Sequence, residues 1–561
     1  MSAREALGEV ENALLDELLA GRIDRRLFLR HATRLGLSWP LIRALGAGGG
    51  FGAETASGAA NGSATGSAER TTLGAAGGTI RAGVAMPHGA IDPLRVNDSG
   101  SYQLLFQVAE FLCVTRPDLT LEPVLAQSWS HNEDGSVWTF KLRRDVKFHD
   151  GREMRAEDVV ASFDRLSDPT GTSNALSVFR GLLSKGGTRK VDDYTVAFHL
   201  DAPNGNFPYA VSIDNYNAVI LPASYRGNYE SAFMGTGPFR IESYRPREGA
   251  TFVRNPEYWG PKALADRVEL KFYADIQPRL IALQAGEVDL LDAVPVVMSP
   301  ALSANPDIKI LPVRSASHRQ LHMRCDTGPF ADKRVRQALA LCLDRKKLLA
   351  GLCRGRGALG NDSPFAPLFP STDPTVPQRD QDIGKARALM AAAGVAAGFD
   401  ITLTTERYTD IPEYAQLVQN FAKAIDIRIE LKVETQALYY GKSLPGQSDW
   451  LDSPLGITDY AHRGVPNTLL GNPLLSSGPW NSAHFKSASY DALVARYVKA
   501  LDLEAQRRAA HDIQTLLLEE TPLIISYFPD LLVPVRRDIT GLDPIAAGLK
   551  LDRVSRSLSR S

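Results

Sequence analysis

Between Trp450 and Arg463 the sequence gathers the groups needed to hold a small charged molecule. A buried carboxylate such as Asp459 could bind a cationic amine, and Arg463 could fork onto a carboxylate. Tyr460 and Trp450 offer stacking surface. Asp452 adds a second carboxylate and His462 an imidazole. Together these residue types suit a zwitterionic ligand. The competing reading is a solvated loop closed by one internal ion pair. Trp480 and the pair Tyr439-Tyr440 are further aromatic candidates, with core packing as their simpler role.

Other chemistries lack their signatures. His318 and His322 are four residues apart, which on a helix would face one metal ion. The strand expected there places them on one side but ~13 Å apart. No cluster of His, Cys and carboxylate has metal spacing, so neither a metal nor a cofactor is expected. A secreted hydrolase would need a nucleophile with its base, or paired carboxylates. Neither G-x-S-x-G nor H-E-x-x-H occurs. Gly235-Thr236-Gly237 suits a tight turn rather than a phosphate cradle, since no Gly-Lys-Ser/Thr follows. Cys113, Cys325, Cys342 and Cys353 form no C-x-x-C pair, and a buried thiol is the expected role of Cys342.

The elements around these residues alternate in type. A strand-like run covers Gly78 to Val84. Trp138, Phe140 and Leu142 alternate with Val137, Thr139 and Lys141 in a half-buried strand, and Val196, Phe198 and Leu200 repeat the pattern. Ala156 to Leu166 reads as a helix burying Val159, Val160, Phe163 and Leu166. Residues 279–293 read as a helix and then a strand. Val335, Ala338, Leu339, Cys342 and Leu343 form one helix face, with Asp332 as cap. Strands at Ile401–Leu403 and Ile427–Val433 flank a helix at 412–425. Two more helix faces run through Tyr490–Leu501 and Ala509–Leu517. Intermixed strands and helices predict an α/β fold.

The chain has 561 residues, 63 Lys and Arg against 64 Asp and Glu, and a formal net charge of −1. That length implies more than one lobe, and the balance of charge argues against a nucleic-acid partner. No run of 18 apolar residues exists. Asp24-Arg25-Arg26-Leu27-Phe28-Leu29-Arg30 resembles a twin-arginine export signal, so residues 1–45 are read as an export signal and the destination as periplasmic. In residues 46–78, Gly, Ala, Ser or Thr fill 27 of 33 positions, which predicts a flexible linker. Residues 1–78 hold eight charges of each sign. Their removal leaves 55 basic and 56 acidic residues and the same −1.

A series of local motifs then occurs in a telling order. Leu121-Glu122-Pro123-Val124-Leu125-Ala126 and Trp129 precede Trp138-Thr139-Phe140-Lys141-Leu142-Arg143. Val146-Lys147-Phe148-His149-Asp150-Gly151 and Ala156-Glu157-Asp158-Val159-Val160 follow. Then come Gly235-Thr236-Gly237-Pro238-Phe239, Arg254-Asn255-Pro256-Glu257-Tyr258-Trp259-Gly260, Val335-Arg336-Gln337-Ala338-Leu339 with Asp344-Arg345, and Tyr490-Asp491-Ala492-Leu493. Over residues 79–540 this closely resembles the family 5 extracellular solute-binding proteins, the peptide and nickel receptors of ABC importers.

The resemblance implies a two-lobed periplasmic-binding-protein clamshell with an extra subdomain on the first lobe. Lobe I would take 79–313 and 525–561, with the subdomain at about 100–212, and lobe II would take 314–524. Crossing segments would lie near Leu311–Ser317 and Thr521–Tyr527. A monomeric, non-catalytic receptor is implied, handing a peptide or small-molecule solute to an ABC permease in the membrane. A nickel or other metal-chelate complex, contacted by His462, is the alternative cargo. In the first lobe, Met86-Pro87-His88-Gly89 and Asp214-Asn215-Tyr216-Asn217 are candidates by position, with His88 the foremost. The sequence also departs from the family pattern. Arg155 stands where a hydroxyl cap is usual, Arg324 where an Asn is common, and 450–463 lacks the aromatic–Asp–Pro setting of peptide receptors.

Overall fold

A computed structural model describes residues 77–557. The export-signal reading, and the linker reading apart from Gly77 and Gly78, lie outside the described residues.

The strand Thr79–Ala85 buries Ile80, Ala82 and Val84 and lies inside a seven-stranded sheet. It runs parallel to Arg267–Tyr273 on one side and to Leu290–Leu291 on the other. Gly249–Arg254 and Phe239–Arg245 extend the sheet one way, and Leu531–Arg536 and Ile308–Val313 the other. The expected helix and strand at 279–293 are Ile276–Gln284 and Leu290–Leu291.

A four-stranded antiparallel sheet is built from Ala126–His131, Val137–Leu142, Thr195–His199 and Thr188–Asp192. Trp138, Phe140 and Leu142 point into its core, as their alternation requires. The helix Ala156–Leu166 packs beside it without a hydroxyl cap. Instead the Asp158 carboxylate accepts the Arg155 N–H at 2.8 Å, which restores one satisfied group to the helix start. The subdomain limit expected at 100 falls inside the helix Ser99–Val108, which packs on the seven-stranded sheet.

Buried Glu110 fastens this region. It accepts from Tyr258 Oη at 2.7 Å, Trp259 Nε1 at 2.9 Å and Thr236 Oγ1 at 2.9 Å. Burial raises its pKa, against the pull of those donors. A Cβ at Gly235 would stand 1.9 Å from the Val108 carbonyl oxygen, so close approach of backbone explains this glycine.

A five-stranded sheet forms the second body, ordered Ile427–Glu434, Phe399–Glu406, Leu455–Tyr460, His318–Met323 and Leu523–Ile525. The first three are parallel and the last two add antiparallel. The helix Lys333–Cys342 covers it, with Asp332 accepting from the Arg334 N–H. Leu343 lies just past its end. Buried Arg336 reaches from this helix to the carbonyls of Phe330, Ala331, Glu520 and Thr521.

The chain leaves the seven-stranded sheet at Val313 and joins the other at His318. It returns between Ile525 and Leu531. The second crossing therefore lies later than the expected Thr521–Tyr527, because Leu523–Ile525 still pairs with Gln320–His322. Two α/β bodies joined by two short crossings make a two-lobed fold.

Candidate functional site

The stretch expected to carry the site is largely a strand, not a solvated loop. Leu455–Tyr460 pairs with His318–Met323 so that Asp459 lies opposite Arg319 and Tyr460 opposite His318. Arg319 is nearly buried and donates to Asp459, to Asp410 Oδ1 at 2.9 Å and to Thr409 Oγ1 at 2.9 Å. Tyr527 Oη donates to the other Asp410 oxygen at 2.7 Å. Glu406, fully buried, accepts from Tyr440 Oη at 2.7 Å, Gln436 Nε2 at 2.6 Å and, more weakly, the Asp459 N–H at 3.3 Å. Burial and the nearby Glu406 and Asp410 hold the Asp459 carboxyl above its usual range, against the attraction of Arg319. Asp459 is thus already partnered.

Beyond the strand end, Ala316 sets two histidines in opposite senses. Its N–H donates to His462 Nδ1 at 3.1 Å, so the proton of that neutral ring sits on Nε2. Its carbonyl accepts from His318 Nδ1 at 3.0 Å, which leaves His318 Nε2 as a bare acceptor. Burial lowers His462 to about 3, helped by the charge of Arg463, and lowers His318 to about 4. Both rings are neutral near pH 7. An aromatic column runs from Trp480 to Tyr460 at 6.1 Å, on to His318 at 5.5 Å, and on to Phe528 at 5.5 Å.

Arg463 donates to the His462 carbonyl at 3.1 Å, and its charge acts on Asp214. Asp214 comes from the seven-stranded body's part of the chain. Its carboxylate is touched so closely by Gly464 that a Cβ there would stand 2.1 Å from Oδ2. Ser212 Oγ bonds Oδ2 at 3.3 Å, while Oδ1 is buried without a hydrogen-bond partner. Burial raises Asp214 to about 7, against the pull of the Ser212 and Thr115 hydroxyls and the charge of Arg463. A carboxylate with an empty acceptor therefore faces a cationic corner across the juncture of the two bodies.

Comparison with known proteins identifies the architecture. The model for bacterial extracellular solute-binding proteins, family 5 (middle), matches residues 120–462, more than half of the chain. The chain belongs to this family. It is 26% identical over 459 residues to heme-binding protein A of Haemophilus influenzae, covering 76% of this chain and 82% of the relative. It is 27% identical over 509 residues to di/tripeptide-binding protein 2 of Pseudomonas aeruginosa, covering 82% and 92%. The structure of HbpA2 from Haemophilus parasuis superposes with a TM-score of 0.76 at 24% identity, covering 86% of this chain and all of that one. The family is one of solute-binding proteins, and the relatives are named for binding, with no sign of a hydrolase.

The remaining candidates of this family 5 chain have local roles. Asp452 accepts the Gly446 and Ser448 N–H groups at 2.8 and 3.1 Å and so closes its own loop. Trp450 is buried edge-on against Tyr440 at 5.3 Å. His88 is exposed in the loop after Thr79–Ala85, with no hydrogen bond to the other candidates. Arg324 holds Asp326 at 2.8 Å and the Asp452 carbonyl at 3.0 Å, so it anchors the neighbouring segment. His318 and His322 are both buried on one strand, and His322 Nε2 is spent on the Ser453 carbonyl at 3.3 Å. No group of three or more His, Cys, Asp or Glu able to hold a metal occurs among the described residues. Sequence reasoning missed Arg319, Asp410 and Glu406. The one available signal was Arg319 itself, beside His318 in the strand expected there.

Proposed function

We propose that this protein is the solute-capturing receptor of an ABC importer and takes a peptide or related amine/carboxylate solute between its lobes. Lobe I comprises 79–313 and the chain from Leu531 onward, and lobe II comprises 314–525, its last strand Leu523–Ile525 still pairing with Gln320–His322. The single observation behind this reading is the unsatisfied Asp214 oxygen opposite the His462–Arg463 corner. His462 Nε2–H and the Arg463 guanidinium are donors suited to the solute's carboxylate. Asp214 takes the part first given to Asp459, as acceptor for the amine. A buried acceptor with no partner costs free energy that a bound ammonium would recover. The name of the di/tripeptide-binding relative supports this class of solute. The receptor works as a monomer, is exported through the twin-arginine route and delivers its solute to a membrane permease.

The test is native mass spectrometry of the purified chain for co-purified solute, followed by thermal shift with a panel of di- and tripeptides. A bound solute raises the melting temperature through linkage. Asp214→Asn and Arg463→Ala should each abolish that shift while leaving the ligand-free melting temperature within a few degrees. A panel without any shift, and a purified chain without solute, would sink the proposal.

A further inference from the structure

The central strand His318–Met323 carries one more polar side chain next to the His462–Arg463 corner. His318, Gln320 and His322 alternate along the strand and so share one face. Gln320 stands between Thr458 and Ile525 of the neighbouring strands. It is 3% exposed, and its Oε1 is buried without a hydrogen-bond partner. His318 Nε2, two residues away on that face, is buried without a partner as well. The far end of the Gln320 amide is not sealed off in this way.

The two orphaned groups reach each other. Burial lowers the His318 pKa, against the pull of the Ala316 carbonyl and of the Gln320 side chain. Because the Ala316 carbonyl accepts from His318 Nδ1 at 3.0 Å, His318 Nε2 is an acceptor. An acceptor facing an acceptor is repulsive, and the orientation of an amide follows from its hydrogen bonds. The stable orientation donates the Gln320 NH2 to His318 Nε2 and turns the carbonyl oxygen to the far end. Ala316 therefore sets two side chains of opposite polarity. Its N–H makes His462 a donor at Nε2, and its carbonyl, through His318, makes Gln320 an acceptor. An uncharged donor and an uncharged acceptor match the two polar groups of a peptide bond.

We propose that Gln320 determines specificity in solute capture, its carbonyl oxygen accepting the N–H of an amide in the solute, with Ala316 and His318 as positioning residues. This rests on the receptor reading above and narrows it, from any amine/carboxylate compound to one that contains a peptide bond. A solute without that N–H leaves a poorly hydrated acceptor unpaired and binds more weakly for it.

The experiment has two arms, both on the full chain. The first needs no solute. Long-range nitrogen–proton correlation spectra read the histidine tautomers, and His318 should show a protonated Nδ1 and an unprotonated, hydrogen-bonded Nε2. Gln320→Met should move the Nε2 signal and leave the tautomer in place. An unmoved signal, or a proton on Nε2, overturns the relay. The second arm compares alanyl-alanine with alanyl-lactate, in which an ester oxygen replaces the amide N–H, by titration calorimetry. The wild-type chain should bind the amide about tenfold more tightly, and Gln320→Met should bind the two within about twofold of each other. His318→Phe keeps the stack with Tyr460 and Phe528 and should narrow the preference about threefold. Equal binding of the two probes by the wild type, an undiminished preference in Gln320→Met, or binding of neither probe overturns the proposal. The receptor reading survives those results if any other member of the peptide panel raises the melting temperature, and fails only if the whole panel is silent.

Discussion

Removing Asp459 should destabilise the protein before it alters solute binding. Arg319 is 9% exposed and Asp459 24% exposed at the side chain, so their contact is mostly shielded from water. Breaking a buried pair by deleting one partner costs ~3–5 kcal/mol. Arg319 keeps Asp410 and Thr409 when Asp459 is gone, and Asp459 is partly solvated, so Asp459→Ala should cost about 2 kcal/mol. Arg319→Met strands both Asp410 and Asp459 beside buried Glu406, and should cost about 4 kcal/mol. In the double variant the two losses overlap, and its cost should fall short of their sum by about 2 kcal/mol. Urea unfolding of the four proteins measures this cycle, with an unchanged slope as the check that only stability has moved. Costs that add to within about 0.5 kcal/mol would refute the coupling. They would return Asp459 to the role of an open ligand group.

Acid should cost the protein the contribution of its buried neutral histidines. His318, His322 and His149 are lowered to about 4, chiefly by burial, from an ordinary 6.5. Their contribution is complete above pH 6.5 and is lost as pH falls toward 4, by at most about 3 kcal/mol for each fully buried ring. Asp214, raised to about 7, acts oppositely, contributing most below pH 4 and losing that contribution as pH rises to 7. Glu110 and Asp459, also raised, act in the same sense as Asp214, so the histidine part is read by difference: His149→Gln should lose less melting temperature than wild type between pH 6.5 and 4.5, and an equal loss would contradict the assignment. Glu110→Ala should leave the Tyr258, Trp259 and Thr236 donors unpaired and cost about 3 kcal/mol or more by urea unfolding, whereas Glu110→Gln retains an acceptor and should cost less.

The helix faces and half-buried strands were legible because their burial is one-sided. Val137–Leu142 and Ala156–Leu166 coincide with their patterns since one face meets the core and the other meets water or a neighbour. Leu455–Tyr460 lay hidden for the opposite reason. It is central in the five-stranded sheet and covered on both faces, so Gly456, Thr458 and Asp459 show no alternation to read. The second crossing was misplaced on the same account, because Leu523–Ile525 is a short, wholly buried strand whose partner lies two hundred residues away.

The charges of the site were legible as types but not as pairs. Asp459 and Arg463 are close in sequence and look complementary, yet strand geometry turns them to different partners. Asp459 meets Arg319 across a ladder rung, while Arg463 follows the strand end and faces Asp214 from the other lobe. A net charge of −1 conceals this arrangement, since it counts satisfied and unsatisfied groups alike. We propose that a solute is recruited by the remainder of that accounting, a buried oxygen left without a hydrogen bond when the lobes meet. By that criterion we propose Asp459 as structural and Asp214 as the solute's acceptor, although the sequence alone weighted them the other way. The urea cycle at Arg319 and the solute panel on Asp214→Asn test the two halves of this assignment separately.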